Sequence, residues 1–139
     1  MKKYIFALSA TCLSLFFNAQ NHLTVRVSNL KNTNGAIEIG LYQSDKNFLK
    51  EGAQYAKKRV KVTTNPQTIT FPNLPKGEYA VAIFHDENQN GKCDTNAFGI
   101  PKEGYGFSNN FRPKLSAPKF HQTKIWVENH KEIGVQMIR

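Results

Sequence analysis

From residue 86 to residue 94 the chain reads Asp-Glu-Asn-Gln-Asn-Gly-Lys-Cys-Asp. Asp86, Asn88, Asn90, Gly91 and Asp94 therefore stand at the spacing of positions 1, 3, 5, 6 and 9 of a calcium loop. That chemistry needs hard oxygen donors gathered over a short arc. Alternate side chains turn inward, glycine permits the bend, and the Lys92 carbonyl can serve at position 7. The pattern then breaks, because Ala97 occupies position 12, where a bidentate Glu belongs. With no flanking helices expected either, this is no EF-hand. Glu103 is the carboxylate that can fold back in its place. The expected metal set is thus Asp86, Asn88, Asn90, Lys92, Asp94 and Glu103, for calcium rather than zinc because the donors are oxygens. With Asp86 and Asp94 the only firm anions and Lys92 beside them, the expected affinity is roughly 0.1–1 mM. The competing reading is an Asn/Asp/Gly-rich turn whose side chains bond their own backbone.

Other chemistries are less developed. His85 and His121 flank this region without ligand spacing, and His85 reads as a hydrogen-bonded core or rim histidine. A hydrolase-like enzyme would need His85, Asp86 and Glu103 to line one open cleft. No Ser/His/Asp arrangement is legible, so no catalytic residue is assigned and a non-enzymatic module that binds a ligand or envelope partner is the leading expectation, with a purely structural accessory domain as the further alternative. Cys93 has no evident base beside it and reads as a tolerated loop residue. His85, Tyr105, Phe107 and Asn109 are the expected ligand contacts.

The elements that must position these residues are strands. Residues 23–28 and 36–42 alternate apolar and polar and read as a hairpin, followed by strands at 59–63 and 67–71. Residues 78–84 are apolar on both faces, as in a central strand covered on both sides. Residues 124–128 and 132–138 read as a closing hairpin. The expected fold class is all-β: a single antiparallel β-sandwich of about seven strands, transthyretin/Ig-like, with one long ordered loop. That loop, residues 87–122, holds Phe98, Phe107, Phe111 and Phe120, which argues for packing rather than disorder. Trp126 alternates with Ile125 and Val127 and is expected to lie beneath the loop.

The chain has 139 residues, 19 Lys+Arg against 10 Asp+Glu, a formal charge of +9 and 40% hydrophobic residues, which is ordinary globular composition. Met1-Lys2-Lys3, the apolar run Tyr4 to Phe17 and Asn18-Ala19-Gln20 have the layout of a signal peptide over residues 1–20. Cys12 raises a lipoprotein alternative, but Thr11 precedes it where a small residue is wanted. Removing residues 1–20, with Lys2 and Lys3, leaves one domain, 21–139, of 119 residues and charge +7. It holds no second run long enough to span a bilayer. Its single cysteine excludes an intrachain disulfide. The expected location is periplasmic or extracellular. Export disfavours nucleic acid as a partner, and the basic charge suits a cell-envelope component or an acidic polysaccharide.

Two resemblances complete the reading. Phe71-Pro-Asn-Leu-Pro-Lys-Gly-Glu-Tyr79-Ala-Val81 resembles the turn of transthyretin-like and carboxypeptidase-regulatory-like sandwich domains, and implies fold only. Gly77 to Val81, His85 to Asn88, Asn90-Gly91, Asp94 and the run Phe98 to Asn109 resemble a family of secreted bacterial proteins, domain of unknown function 2141. That resemblance spans residues 21–139 and implies a sandwich and export, with no activity attached.

Overall fold

The computed structural model describes residues 20–139, so the expected signal peptide, apart from Gln20, lies outside the described residues. Eight strands follow in order: β1 (Asn21–Ser28), β2 (Ala36–Tyr42), β3 (Ala56–Lys61), β4 (Gln67–Leu74), β5 (Gly77–Asp86), β6 (Tyr105–Phe107), β7 (Ile125–Val127) and β8 (His130–Gln136). They form a three-stranded sheet in the order β4-β1-β8 and a five-stranded sheet in the order β3-β2-β5-β6, with β7 against the start of β5. This is the all-β sandwich that the alternation implies. Among the described residues, no helix is long and apolar enough to cross a membrane.

The core is the direct product of period-two patterning. Leu23, Val25 and Val27 from β1 meet Ile37, Ile39 and Leu41 from β2, and Tyr79, Val81 and Ile83 from β5. All are buried. Tyr79 also donates its hydroxyl to the Pro75 carbonyl at 2.6 Å, so the turn before β5 is pinned by the strand it launches.

Several connections differ from the local expectation. Residues 23–28 and 36–42 are not a hairpin: β1 and β2 belong to different sheets, and residues 29–35 arch between them. At the end of that arch Gly35 has φ +66°, and a Cβ there would lie 2.0 Å from the Asp86 carbonyl oxygen. The closing hairpin is absent as well. β7 pairs antiparallel with β5, whereas β8 pairs parallel with β1, from His22↔His130 to Ser28↔Gln136. The physical reason is common to both cases. Asn- and Gly-rich turn chemistry serves an inter-sheet arch as well as it serves a hairpin, and only the global packing decides.

The long connection is ordered. It contributes β6, a 3₁₀ turn at Ser108–Asn110 and one helical turn, α1 (Phe120–Thr123). Phe107 and Phe120 are buried with Tyr42, Phe48 and Ala80 in a second cluster, and Phe111 packs against it. Phe98, by contrast, is 88% exposed. The loop does not cover Trp126 either. The ring is 50% exposed, with Lys76 Nζ 5.9 Å from its centroid and its Nε1 donating to Glu128 at 3.1 Å. The tight turn before β5 and Glu128 thus hold the indole at the rim.

Candidate functional site

The acid-and-amide loop starts where β5 runs out at the sheet edge. Asp86 is fully buried, and its Oδ1 accepts from the Asn90 N–H at 3.0 Å. Its Oδ2 accepts from the Gly91 N–H at 2.8 Å and from Arg59 Nη1 at 2.7 Å. Burial pushes this carboxyl's pKa up, but the Arg59 hydrogen bond and the two backbone donors pull harder, and the net value lies below 3.8. Arg59 also bonds Glu38, so one guanidinium from edge strand β3 serves two acids.

Further along, the Asn88 and Asn90 amides both donate to Asp94, at 2.7 and 2.9 Å. Asn88 Oδ1 accepts from the Asn90 N–H at 3.2 Å and Asn90 Oδ1 from the Lys92 N–H at 2.9 Å. Glu103 folds back beneath this arc. Its two oxygens accept from the Glu87 N–H at 3.0 Å and the Asp94 N–H at 3.1 Å, which joins the two ends of the loop. The six expected metal residues are therefore gathered in one place. Among the described residues, no three or more His, Cys, Asp or Glu side chains group in metal-binding geometry.

The expected ligand residues divide. His85 faces inward from β5, buried, and its Nε2–H donates to the Asn34 carbonyl at 2.6 Å. Asn109 is a structural post, its Nδ2 donating to the Lys124 carbonyl at 3.0 Å. Tyr105 and Phe107 do line an opening. An open groove of about 490 Å³ crosses the outer face of the five-stranded sheet. Register builds it in rows. Arg59, Glu38, Phe84 and Tyr105 are successive partners across β3, β2, β5 and β6. Lys57, Gly40, Ala82 and Phe107 make the next row. Gly40 is buried, its outer side taken by the Gln54 and Tyr42 side chains, while Ala82, Phe84 and Tyr105 are half-buried along the groove. Gly91, Lys92 and Cys93 of the acid-and-amide loop form one rim, and Leu49, Glu51 and Gln54 contribute from another loop.

Sequence reasoning missed Gly40, Ala82, Phe84 and Lys57. One signal was present: a glycine inside a strand marks close approach of something to the backbone. A Cβ on Gly40 would lie 3.0 Å from Gln54 Cγ and 3.2 Å from Tyr42 Cε2.

Cys93 sits at the rim, and burial, with the charges of Glu103 and Asp94, pushes its thiol up to about 11. Such a thiol is a poor nucleophile.

Sheet order, braced loop and outer-face groove together define a two-sheet β-sandwich module with a single elaborated edge. The chain belongs to the family described as "Uncharacterized protein conserved in bacteria (DUF2141)", which matches residues 25–134. No curated protein and no solved structure matches it significantly.

Proposed function

We propose that this chain is an exported, non-enzymatic binding module, periplasmic or extracellular, whose ligand occupies the outer-face groove, and that this ligand is an acidic polysaccharide segment of the envelope. The observation that carries the reading is the groove's composition. The half-buried Phe84 and Tyr105 line it beside Ala82, with Tyr42 and Gln54 over Gly40, and such aromatic lining suits the apolar face of a sugar ring. Lys57 and Lys92 line the groove together with Glu38 and Glu51; Arg59 offsets Glu38, and among the described residues neither lysine is held in an ion pair. They are placed to receive carboxylates.

The hydrolase alternative is less well supported. His85 is committed to Asn34, Asp86 to Arg59 and backbone donors, and Glu103 to the loop backbone. Those partners leave none of these three side chains free to act as an acid or base at the groove. A purely structural role has no need of an open aromatic lining.

Calcium is the ion proposed for the 86–94 loop. The donor set fits it in kind, with oxygens of Asp86, Asn88, Asn90 and Asp94 and the Lys92 carbonyl, but the Asn88 and Asn90 oxygens accept from the Asn90 and Lys92 N–H groups and both amides donate to Asp94, as in the competing Asn/Asp/Gly turn. It fits only partly in number and charge. Calcium takes 6–8 oxygens, Glu103 is spent on the backbone, and Arg59 already offsets Asp86. Water would have to complete the shell, which keeps the affinity weak.

The test of the groove is titration of the isotope-labelled protein freed of its expected signal peptide, residues 21–139, with galacturonic acid oligomers. Amide shifts are expected at Gly40, Ala82, Phe84 and Tyr105, and Lys57→Glu should weaken binding about tenfold, the effect of one charge-assisted contact. Shifts scattered over exposed lysines, or none, would overturn the proposal.

A further inference from the structure

The turn beyond the acid-and-amide loop has a purpose the groove does not explain. Thr95 and Pro101 form an antiparallel bridge, and between them the chain reverses around Asn96. The Asn96 N–H donates to the Ile100 carbonyl at 2.9 Å, and the Gly99 N–H returns to the Asn96 carbonyl at 3.0 Å. Asn96 Oδ1 accepts from the N–H groups of Phe98 at 2.9 Å and Ile100 at 3.0 Å. At the base, the Lys102 N–H donates to the Asp94 carbonyl at 2.7 Å, and Glu103 holds the Asp94 N–H. The tip is a hydrogen-bonded frame rather than a loose end.

What this frame presents is apolar. Phe98 is 88% exposed and Ile100 is 56% exposed. A solvated Phe adds nothing to folding stability, yet here its backbone is fixed by bonds on both sides. Fixing it in advance removes most of the ordering cost that docking would otherwise carry. The occupant follows from exposure and charge. The tip bears two exposed apolar side chains, far short of the roughly 800 Å² per partner of a stable protein interface. Exposed Lys92 and Lys102 stand on either side of the reversal in the chain, and among the described residues neither is in an ion pair. Apolar residues at a tip with lysines behind them match the layering of a lipid interface, acyl chains below and anionic headgroups above.

We propose that residues 96–100 form a membrane-contacting finger that inserts Phe98 and Ile100 into an anionic bilayer surface, with Lys92 and Lys102 at headgroup depth. This inference does not depend on what fills the groove.

The test uses the protein freed of its expected signal peptide, residues 21–139, and vesicles of phosphatidylcholine with or without phosphatidylglycerol. Binding is expected only with phosphatidylglycerol. Phe98→Asp or Ile100→Asp should each cut it roughly tenfold, about 1.4 kcal/mol of lost partition. Both side chains are exposed, so an unchanged melting temperature certifies the fold of each variant. Trp126 is the only tryptophan. Phe98→Trp in a Trp126→Phe background should therefore shift its emission to the blue and be quenched by brominated lipid. Binding without quenching, or full binding by Phe98→Asp, would mean adsorption by net charge alone and would overturn the finger. Absence of vesicle binding, or equal binding to phosphatidylcholine, would overturn it too.

Discussion

Arg59 Nη1 lies 2.7 Å from Asp86 Oδ2, joining the edge strand of the five-stranded sheet to the first residue of the acid-and-amide loop. The carboxylate is fully buried while the guanidinium side chain is 38% exposed, so the pair stands at the boundary between core and solvent. This contact sets the acid limit of the fold. The Asp86 pKa is lower folded than unfolded, so its contribution is fully present above about pH 4, the ordinary carboxyl value, and is lost as pH falls through the folded value. Asp86→Asn should flatten the loss of stability below pH 4, read as melting temperature against pH. Parallel acid profiles would exclude Asp86 as the responsible group.

Glu103 is a second brace, and its loss should be local before it is global. Glu103→Ala leaves the Glu87 and Asp94 N–H groups without their acceptor, at a cost of about 2 kcal/mol. Amide exchange should accelerate across residues 87–103 while the β1 and β2 amides stay protected. Uniform acceleration would mean that the loop unfolds only with the sandwich.

Calcium gives a direct reading. Millimolar calcium should raise the melting temperature, chelator should reverse the rise, and Asp94→Ala should reduce it. At ten times the dissociation constant the linkage stabilisation is about 1.4 kcal/mol. An unchanged melting temperature at millimolar calcium would remove the ion from the proposal.

Gly40 tests the groove from beneath. Gly40→Val places methyl groups against the Gln54 and Tyr42 side chains, where even a Cβ would lie 3.0 Å from Gln54 Cγ. Binding of the galacturonic acid oligomers should be abolished in a variant that still melts cooperatively. Retained affinity would place the ligand elsewhere.

Cys93 should be sluggish. With a thiol pKa of about 11, roughly one molecule in a thousand is thiolate at pH 8, and a disulfide reagent should react far more slowly than with a free cysteine. Rapid labelling of the folded protein would contradict the environment described.

The sheet faces were legible because β1 and β2 alternate and β5 is apolar on both faces, and the loop was legible because Asp86, Asn88, Asn90, Gly91 and Asp94 keep a fixed spacing. What escaped was pairing. Residues 29–35 look like a hairpin turn but cross between sheets, and no local signal distinguishes the two. β6, Tyr105-Gly-Phe107, is three residues long and shows no period until it docks on β5. The groove was hidden for the same reason, since Lys57, Gly40, Ala82 and Phe107 become neighbours only through register across four strands.

The parallel pairing of β1 with β8 has a consequence for how the molecule is born. Among the described strands the first is the middle strand of its sheet, and one of its two neighbours is the last. Emerging from a ribosome, β1 waits with one edge open until residues 130–136 arrive. The sandwich therefore cannot close vectorially. A chain stalled or clipped before residue 130 leaves one edge of β1 open, opposite its pairing with β4, for other chains to find.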